Sequence, residues 1–166
     1  MHSPSLRFFI RFVIFALFLT LLLGLDAYLG YRVTLPLQHI YFVYLQEIAS
    51  LLHIPFQLFD RPLALVLDNG FTLFITYNCT AIWYYLLSTA FLFALPTSMY
   101  RRFLFLAISF ALITSFNLMR IAIMVWIAYQ APSLFHLFHT LLFQGLFFSL
   151  FIALHYYFLI RSLKVV

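Results

Sequence analysis

The sequence predicts an all-α integral membrane protein with about four transmembrane helices. Of its 166 residues, 66% are hydrophobic and only 8% are charged, which leaves too few charged side chains to solvate a soluble domain of this length. Three apolar runs, FFIRFVIFALFLTLLLGL, RFLFLAISFALITSF and LLFQGLFFSLFIALHYYFLI, reach or approach the ~20 residues that cross hydrocarbon. We therefore expect one membrane domain, residues 1–166, embedded in the lipid bilayer.

The basic residues set the expected topology. Four spans at 8–29, 79–97, 103–129 and 134–160 put six basic residues on the cytoplasmic side with both termini: Arg7, Arg11, Arg101, Arg102, Arg161 and Lys164. Only Arg32 and Arg61 then fall in the outer segment, which satisfies the positive-inside rule. Basic residues at helix ends favour orientation signals over a nucleic-acid patch, so no nucleic-acid partner is expected. The first helix lacks a small-residue cleavage site and is interpreted as retained.

Residues 34–57 are predicted to form an interfacial helix in the outer leaflet. Polar residues recur along one helical face, backed by Leu, Ile and Val, which is typical of an amphipathic helix. They are His39, Gln46, Ser50, His53 and Gln57. The alternative is a fifth span, which would send Arg101 and Arg102 outside, against the charge rule.

A β-hairpin is predicted over residues 63–76. Two β-favouring runs flank Asp68-Asn69-Gly70 in LALVLDNGFTLFI, and Asn and Gly accept the positive φ that a tight hairpin turn requires. The second strand leads directly to Cys79, the only cysteine in the chain. Because open strand edges cannot face lipid, we expect the hairpin and Cys79 at the outer mouth of the next helix.

The third predicted span carries two polar residues, Asn117 and Arg120. An arginine within a span costs at least ~2.5 kcal/mol on insertion scales, and such residues usually face the bundle interior. Nine residues separate Arg120 from Tyr129 at the outer end, about 14 Å along a helix. Arg120 is thus expected in the outer half of the membrane, one helical turn from Asn117. Its structural alternative is a pair with a carbonyl group or with Asn117.

Two histidines, His136 and His139, open the last predicted span near the same outer boundary. A cysteine nucleophile reacts as its thiolate, which a nearby cation favours. An imidazole can transfer protons, and a fixed cation can stabilise a tetrahedral oxyanion. Cys79, Arg120 and a histidine therefore supply the groups for acyl transfer. The structural alternatives are a small buried hydrophobe for the cysteine and interfacial anchors for the histidines.

At these residues the chain resembles the exosortase and archaeosortase family of membrane-embedded cysteine transpeptidases. The family motifs, Cys-Ser/Thr-Gly/Ala, Asn-x-x-Arg and a later His, correspond here to Cys79-Thr80-Ala81, to the four residues from Asn117 to Arg120, and to His139. The resemblance covers roughly residues 60–160 and suggests a compact variant. Ala81 stands where Gly is commoner, and His136 could take the role given to His139.

The resemblance implies protein sorting outside the cytoplasm. Its substrates would be membrane-anchored proteins with a C-terminal signal of a short motif, a transmembrane helix and a basic tail. Cys79 would form a thioester, Arg120 would hold the thiolate or the oxyanion, and His139 would protonate the leaving amine. Asn117, Thr80 and His136 would support the site, which would face the external or periplasmic side of the plasma membrane. No cofactor and no metal are implied.

Two other functions compete with this one. A membrane cysteine protease would hydrolyse the thioester instead of transferring the product. A non-catalytic scaffold or transporter subunit would use Arg120 structurally or in an ion path, and would tolerate replacement of Cys79.

Overall fold

A computed structural model describes residues 4–28, 34–60, 62–95 and 97–163. The described chain is mainly helical, with one small antiparallel sheet. The α-helices and β-strands are α1 Pro4–Tyr28, α2 Thr34–Leu51, β1 Phe56–Asp60, β2 Leu63–Leu67, β3 Thr72–Phe74, α3 Ile82–Ala94, α4 Met99–Gln130 and α5 Phe143–Leu163. The topology prediction also used Arg32, Arg61 and Lys164, and these three residues lie outside the described ranges.

Three described helical segments are long and apolar enough to cross a membrane: Leu6–Tyr28, Met99–Gln130 and Pro132–Arg161. The predicted class, a helical multi-pass membrane protein, is confirmed. The predicted span 79–97 corresponds to α3, a helix of 13 residues, which at 1.5 Å per residue is about 20 Å long. This is shorter than the ~30 Å hydrocarbon core. Helix α3 ends two residues before Pro96, because a proline disfavours the helical conformation of the residue preceding it.

Helix α2 ends six residues before the predicted boundary at residue 57. Its last turn closes with two bonds, His53 N–H to the Ser50 carbonyl at 3.0 Å and Ile54 N–H to the Ala49 carbonyl at 2.9 Å. His53 has a φ of 54°, so the end is a Schellman motif with His53 in the left-handed position. Pro55 follows and has no N–H to continue the helix. The predicted helix 34–57 was therefore too long.

The residues after this helix form a strand that the sequence did not predict. Phe56–Asp60 pairs antiparallel with Leu63–Leu67, which pairs in turn with Thr72–Phe74, giving the strand order β1-β2-β3. The predicted hairpin is the second half of this three-stranded sheet. One face is buried among the side chains of α2 and α4, and its members are Leu63, Leu65, Leu67, Leu73 and Ile75.

The hairpin turn ties the sheet to a long helix. The Gly70 N–H bonds to the Leu67 carbonyl at 2.9 Å, and Gly70 has a φ of 82°, as a three-residue loop with a glycine bulge requires. The Asn69 side chain projects from the turn, and its Nδ2 donates to the carbonyls of Ala128 and Tyr129 at 2.9 and 3.1 Å. These carbonyls lie in the last turn of α4, where helix carbonyls lack partners within the helix. Asn69 is thus both a residue of the hairpin turn and the C-terminal cap of α4.

The chain divides into two compact units. One comprises Met1–Tyr31, Ile82–Thr114 and Ser149–Val166, and the other comprises Arg32–Ala81 and Ser115–Phe148. The core of the first unit contains Leu92, Leu95 and Phe158. The core of the second contains the buried sheet face together with Tyr41, Phe42, Leu45, Ile121 and Val125. Every residue proposed for the site lies in the second unit, whereas the single domain of residues 1–166 stays a prediction.

Candidate active site

Cys79 lies in a short 3₁₀ turn, Tyr77–Thr80, that directly follows the sheet. The turn closes through the Cys79 N–H, which donates to the Thr76 carbonyl at 2.9 Å. Ala81 then takes a left-handed conformation with a φ of 56°, and α3 begins at Ile82. The cysteine is therefore in a turn and not, as predicted, at the first residue of helix 79–97. The left-handed residue separates the turn from the helix, because a helix cannot continue through a positive φ.

The Cys79 thiol is free and half-buried. Its Sγ lies 3.7 Å from the Thr76 hydroxyl and 3.8 Å from the Phe74 carbonyl oxygen, to which the S–H can donate. Both contacts are weak hydrogen bonds. Strand β3 and the turn that follows it thus hold the sulfur loosely, and the thiol remains available for chemistry.

Asn117 joins the backbone of the cysteine to Arg120. Its side chain is completely buried. Its Nδ2 donates to the Cys79 carbonyl at 2.8 Å, and its Oδ1 accepts a hydrogen bond from Arg120 Nη1 at 3.3 Å. Both polar ends of the amide are therefore satisfied, as a buried amide requires. Asn117 and Arg120 lie three residues apart on one face of α4, so this helix fixes the cysteine turn and the cation together.

Arg120 continues the chain of hydrogen bonds to His139. The Arg120 Nη2 lies 3.2 Å from Nδ1 of the imidazole. A guanidinium has donors only, so Nδ1 must be the acceptor, and a neutral imidazole then carries its proton on Nε2. Four residues from three segments of the chain are thus linked from the Cys79 carbonyl to the imidazole.

His139 lies in a single π-helical turn, Leu137–Leu142, that precedes α5. Such turns are rare and occur frequently at functional sites. The imidazole stacks on Phe135, with ring centroids 5.5 Å apart and an interplanar angle of 9°. Phe135 in turn contacts Phe71, with a centroid separation of 4.8 Å. The ring of His139 is therefore oriented by Arg120 at one nitrogen and by Phe135 at one face.

A cavity of about 280 Å³ brings these groups together. Cys79, Arg120 and His139 all line it, as do the consecutive residues Phe71 to Thr76 of the sheet and its exit. Its remaining lining is apolar: Leu45, Ile121, Met124, Val125 and Phe135. A mainly apolar pocket with a few convergent polar groups is the usual form of a binding or active site. Within the described ranges, the His, Cys, Asp and Glu side chains form no group of three that could hold a metal ion.

The other two site residues from the sequence are placed differently. His136 is exposed and is not among the described residues that line the cavity. Thr80 is completely buried and does not line the cavity either. The structure therefore brings Cys79, Arg120 and His139 together at one cavity and places His136 at the surface.

Sequence reasoning missed two side chains that touch the site groups. Thr76 stands three residues before Cys79 and faces its sulfur, a neighbour that the turn creates. Phe135 stands four residues before His139, which is the spacing of neighbours on one helical face. That spacing could have identified Phe135, whereas nothing in the sequence indicates that the turn folds Thr76 back on the thiol.

The fold and the site define a class: a multi-pass helical membrane protein in which a thiol, a guanidinium and an imidazole line one cavity. Residues 3–157 match the transmembrane exosortase family, and the chain belongs to that family. The resemblance inferred from the motifs around Cys79 and Arg120 is thereby confirmed at the level of the family. Membership supports a membrane sorting transpeptidase in general. No curated protein and no solved structure matches the chain.

Proposed function

We propose that this protein is a cysteine transpeptidase that cleaves the C-terminal sorting signal of membrane-anchored proteins and transfers the product to an acceptor. The observation that carries the proposal is the cavity lined jointly by Cys79, Arg120 and His139. Cys79 is the nucleophile, Arg120 the oxyanion stabiliser and His139 the proton carrier. Asn117 is a positioning residue, since it bonds to the backbone of Cys79 and to the guanidinium.

The first step makes a thioester. His139 takes the thiol proton, and the thiolate attacks the carbonyl carbon of the scissile peptide bond. The negative charge that develops on the carbonyl oxygen is stabilised by the Arg120 guanidinium. The carbon–nitrogen bond then breaks, the imidazolium protonates the leaving amine, and the cleaved protein stays on the cysteine as a thioester.

The hydrogen bond between Arg120 and His139 determines the sequence of events within this first step. In the observed arrangement Nδ1 accepts from Arg120, so both ring nitrogens of a neutral imidazole are occupied. His139 can take up the thiol proton only when Arg120 releases Nδ1. A substrate carbonyl oxygen that draws the guanidinium toward itself would free the imidazole at the same time. Substrate entry thereby couples oxyanion binding to activation of the thiol.

The second step resolves the thioester. An acceptor amine attacks the thioester carbonyl, His139 takes the amine proton, and the thiolate leaves and is protonated again. The product carries a new amide bond. If water is the nucleophile instead, the product is a free carboxylate and the protein is a protease. The chemical nature of the new C-terminus separates these two outcomes.

We further propose that the site faces the outer side of the plasma membrane. The distribution of basic residues supports this side, because it places Arg101 and Arg102 in the cytoplasm. The side can be read from Cys79 directly, since it is the single thiol of the chain.

The decisive experiment follows a tagged membrane protein that carries a C-terminal sorting signal. It is expressed with the wild-type protein or with the Cys79→Ala variant, and its tail is analysed by immunoblot and mass spectrometry. We expect cleavage and a covalent acceptor only with the wild-type protein, and a hydroxylamine-sensitive adduct on Cys79. Processing that continues with Cys79→Ala at normal membrane levels would instead support the scaffold or transporter function.

A further inference from the structure

We propose that the substrate binds as an additional strand along the free edge of β3, an inference that rests on the proposed function. The occupant is an extended segment of the membrane-anchored protein that precedes its transmembrane anchor. The edge lies in the same cavity as Cys79 and is built from the backbone of Thr72 and Phe74.

The sheet register identifies which backbone groups are free. In the order β1-β2-β3, the last strand pairs with β2 and with no other strand of the described ranges. The Leu67 N–H donates to the Phe71 carbonyl at 2.9 Å, and the Ile75 N–H donates to the Leu63 carbonyl at 3.0 Å. In an antiparallel strand the N–H and C=O of one residue point to the same side, and successive residues alternate. Phe71, Leu73 and Ile75 therefore face β2, which leaves Thr72 and Phe74 facing the free edge.

This free edge lies next to the nucleophile. The residues from Phe71 to Thr76 line the cavity with Cys79, and the Phe74 carbonyl oxygen is 3.8 Å from the sulfur. A peptide paired with Thr72 and Phe74 would therefore present its next peptide bond to the thiol. In a protein that spans a membrane, an open strand edge must line a protein or water-filled cavity. Addition of a peptide strand satisfies its donors and acceptors directly.

The dimensions of the edge define the substrate segment. From Thr72 to Thr76 a strand extends about 13 Å, which accommodates about four paired residues. Alternate side chains of an added strand point to opposite faces. One set would point to the apolar cavity wall of Ile121, Met124 and Val125. The site should thus select an extended segment with apolar residues at alternate positions, through backbone bonds more than through charge.

The opposite edge of the sheet supplies a matched control. The Asp68 N–H donates to the Pro55 carbonyl at 3.1 Å, so by the same alternation Leu58 directs its N–H away from β2. Leu58 is exposed, and no β1 residue is among those that line the cavity. A proline at Leu58 and a proline at Thr72 each remove one N–H from an outer edge and leave the ladder bonds in place.

The first experiment compares these two proline variants on a tagged membrane protein whose processing depends on Cys79. We expect Thr72→Pro to slow processing about tenfold, through one lost hydrogen bond and the steric bulk of the ring. Leu58→Pro should process at the wild-type rate. Wild-type processing by Thr72→Pro, at normal membrane levels, overturns the inference.

The second experiment leaves the protein unchanged, so it decides the question even if Thr72→Pro fails to fold. Synthetic peptides spanning the cleavage point of the same substrate are N-methylated at one residue at a time. Acylation of Cys79 in the purified wild-type protein is then measured by mass spectrometry. We expect losses of about tenfold at every second position and wild-type rates between them. A pattern without this period of two overturns the inference.

Failure of the inference and failure of the proposed function give different results. If Cys79→Ala abolishes processing but the methylation pattern lacks the two-residue period, the transpeptidase stands and strand addition is wrong. If Cys79→Ala leaves processing intact, the proposed function itself is wrong, and the strand proposal fails with it.

Discussion

Replacing Asn117 by alanine tests whether the buried amide positions the reacting groups. The substitution removes the 2.8 Å bond to the Cys79 carbonyl and the 3.3 Å bond from Arg120 in one change. The amide is completely buried. Arg120 keeps its bond to His139, and the cysteine turn keeps its own backbone bond to Thr76. The site should therefore remain assembled but become less well ordered.

The magnitude follows from the two bonds. A neutral hydrogen bond contributes about 1 kcal/mol and one to a charged group about 1.5–3 kcal/mol. If the variant loses about 2–3 kcal/mol of the transition-state stabilisation that these two bonds provide, the rate falls about 30- to 160-fold, since each 1.36 kcal/mol corresponds to a tenfold change. Ordinary packing defects would change the stability without this effect on the rate.

The assay measures processing of the Cys79-dependent tagged substrate in isolated membranes, normalised to the amount of inserted protein. Ser109→Ala is the matched control, since Ser109 is equally buried in the same helix. Its hydroxyl has no hydrogen-bond partner within the described ranges, so Ser109→Ala removes no hydrogen bond and should leave the processing rate unchanged. A wild-type rate for Asn117→Ala would refute the positioning role.

Four further predictions concern single residues of the site. Arg120→Lys should insert normally but lose most processing, because one ammonium cannot bridge two acceptors as a planar guanidinium does; wild-type processing would make Arg120 a generic cation. His139→Ala should abolish product and His136→Ala should keep most of it, and the reverse result would exchange their roles. Ala81→Gly should raise the free energy of unfolding by about 1 kcal/mol, because it relieves a left-handed alanine; a lower melting temperature in detergent would contradict this. A membrane-impermeant maleimide should label Cys79 from outside intact cells, whereas labelling only after permeabilisation would favour the five-span arrangement.

The sequence predicted the helical membrane class because long apolar runs have few other structures available. It also predicted the hairpin, since Asn69 and Gly70 in Asp68-Asn69-Gly70 accept the positive φ that a tight turn requires. It missed β1, because the polar helical stripe was extended through Pro55 to Gln57 although a proline ends a helix. That strand exists through its pairing with Leu63–Leu67, a tertiary contact that overrides local preference.

The residue types of the candidate site could be selected from the sequence, whereas the hydrogen bonds between them could not. Cys79, Asn117 and Arg120 could be selected because polar groups are costly in apolar segments. The bond from Asn117 to the Cys79 carbonyl joins residues 38 apart in the chain, so no local pattern indicates it. The bonds from the Asn69 side chain to α4 could not be predicted either, because the sequence identifies Asn69 only as a turn residue.

Two asparagine side chains determine how this region could be exchanged or engineered. Asn69 fastens the hairpin turn to the Ala128 carbonyl, and Asn117 fastens the Cys79 carbonyl to the same helix. The two attachment points on α4 are Ala128 and Asn117, which are eleven residues apart, about 16 Å at the helical rise. An inserted residue between Asn69 and Cys79 would shift the strand by about 3.3 Å and reverse its faces. A graft that exchanges this part of the sheet must therefore keep residues 69–79 at constant length and include the matching stretch of α4.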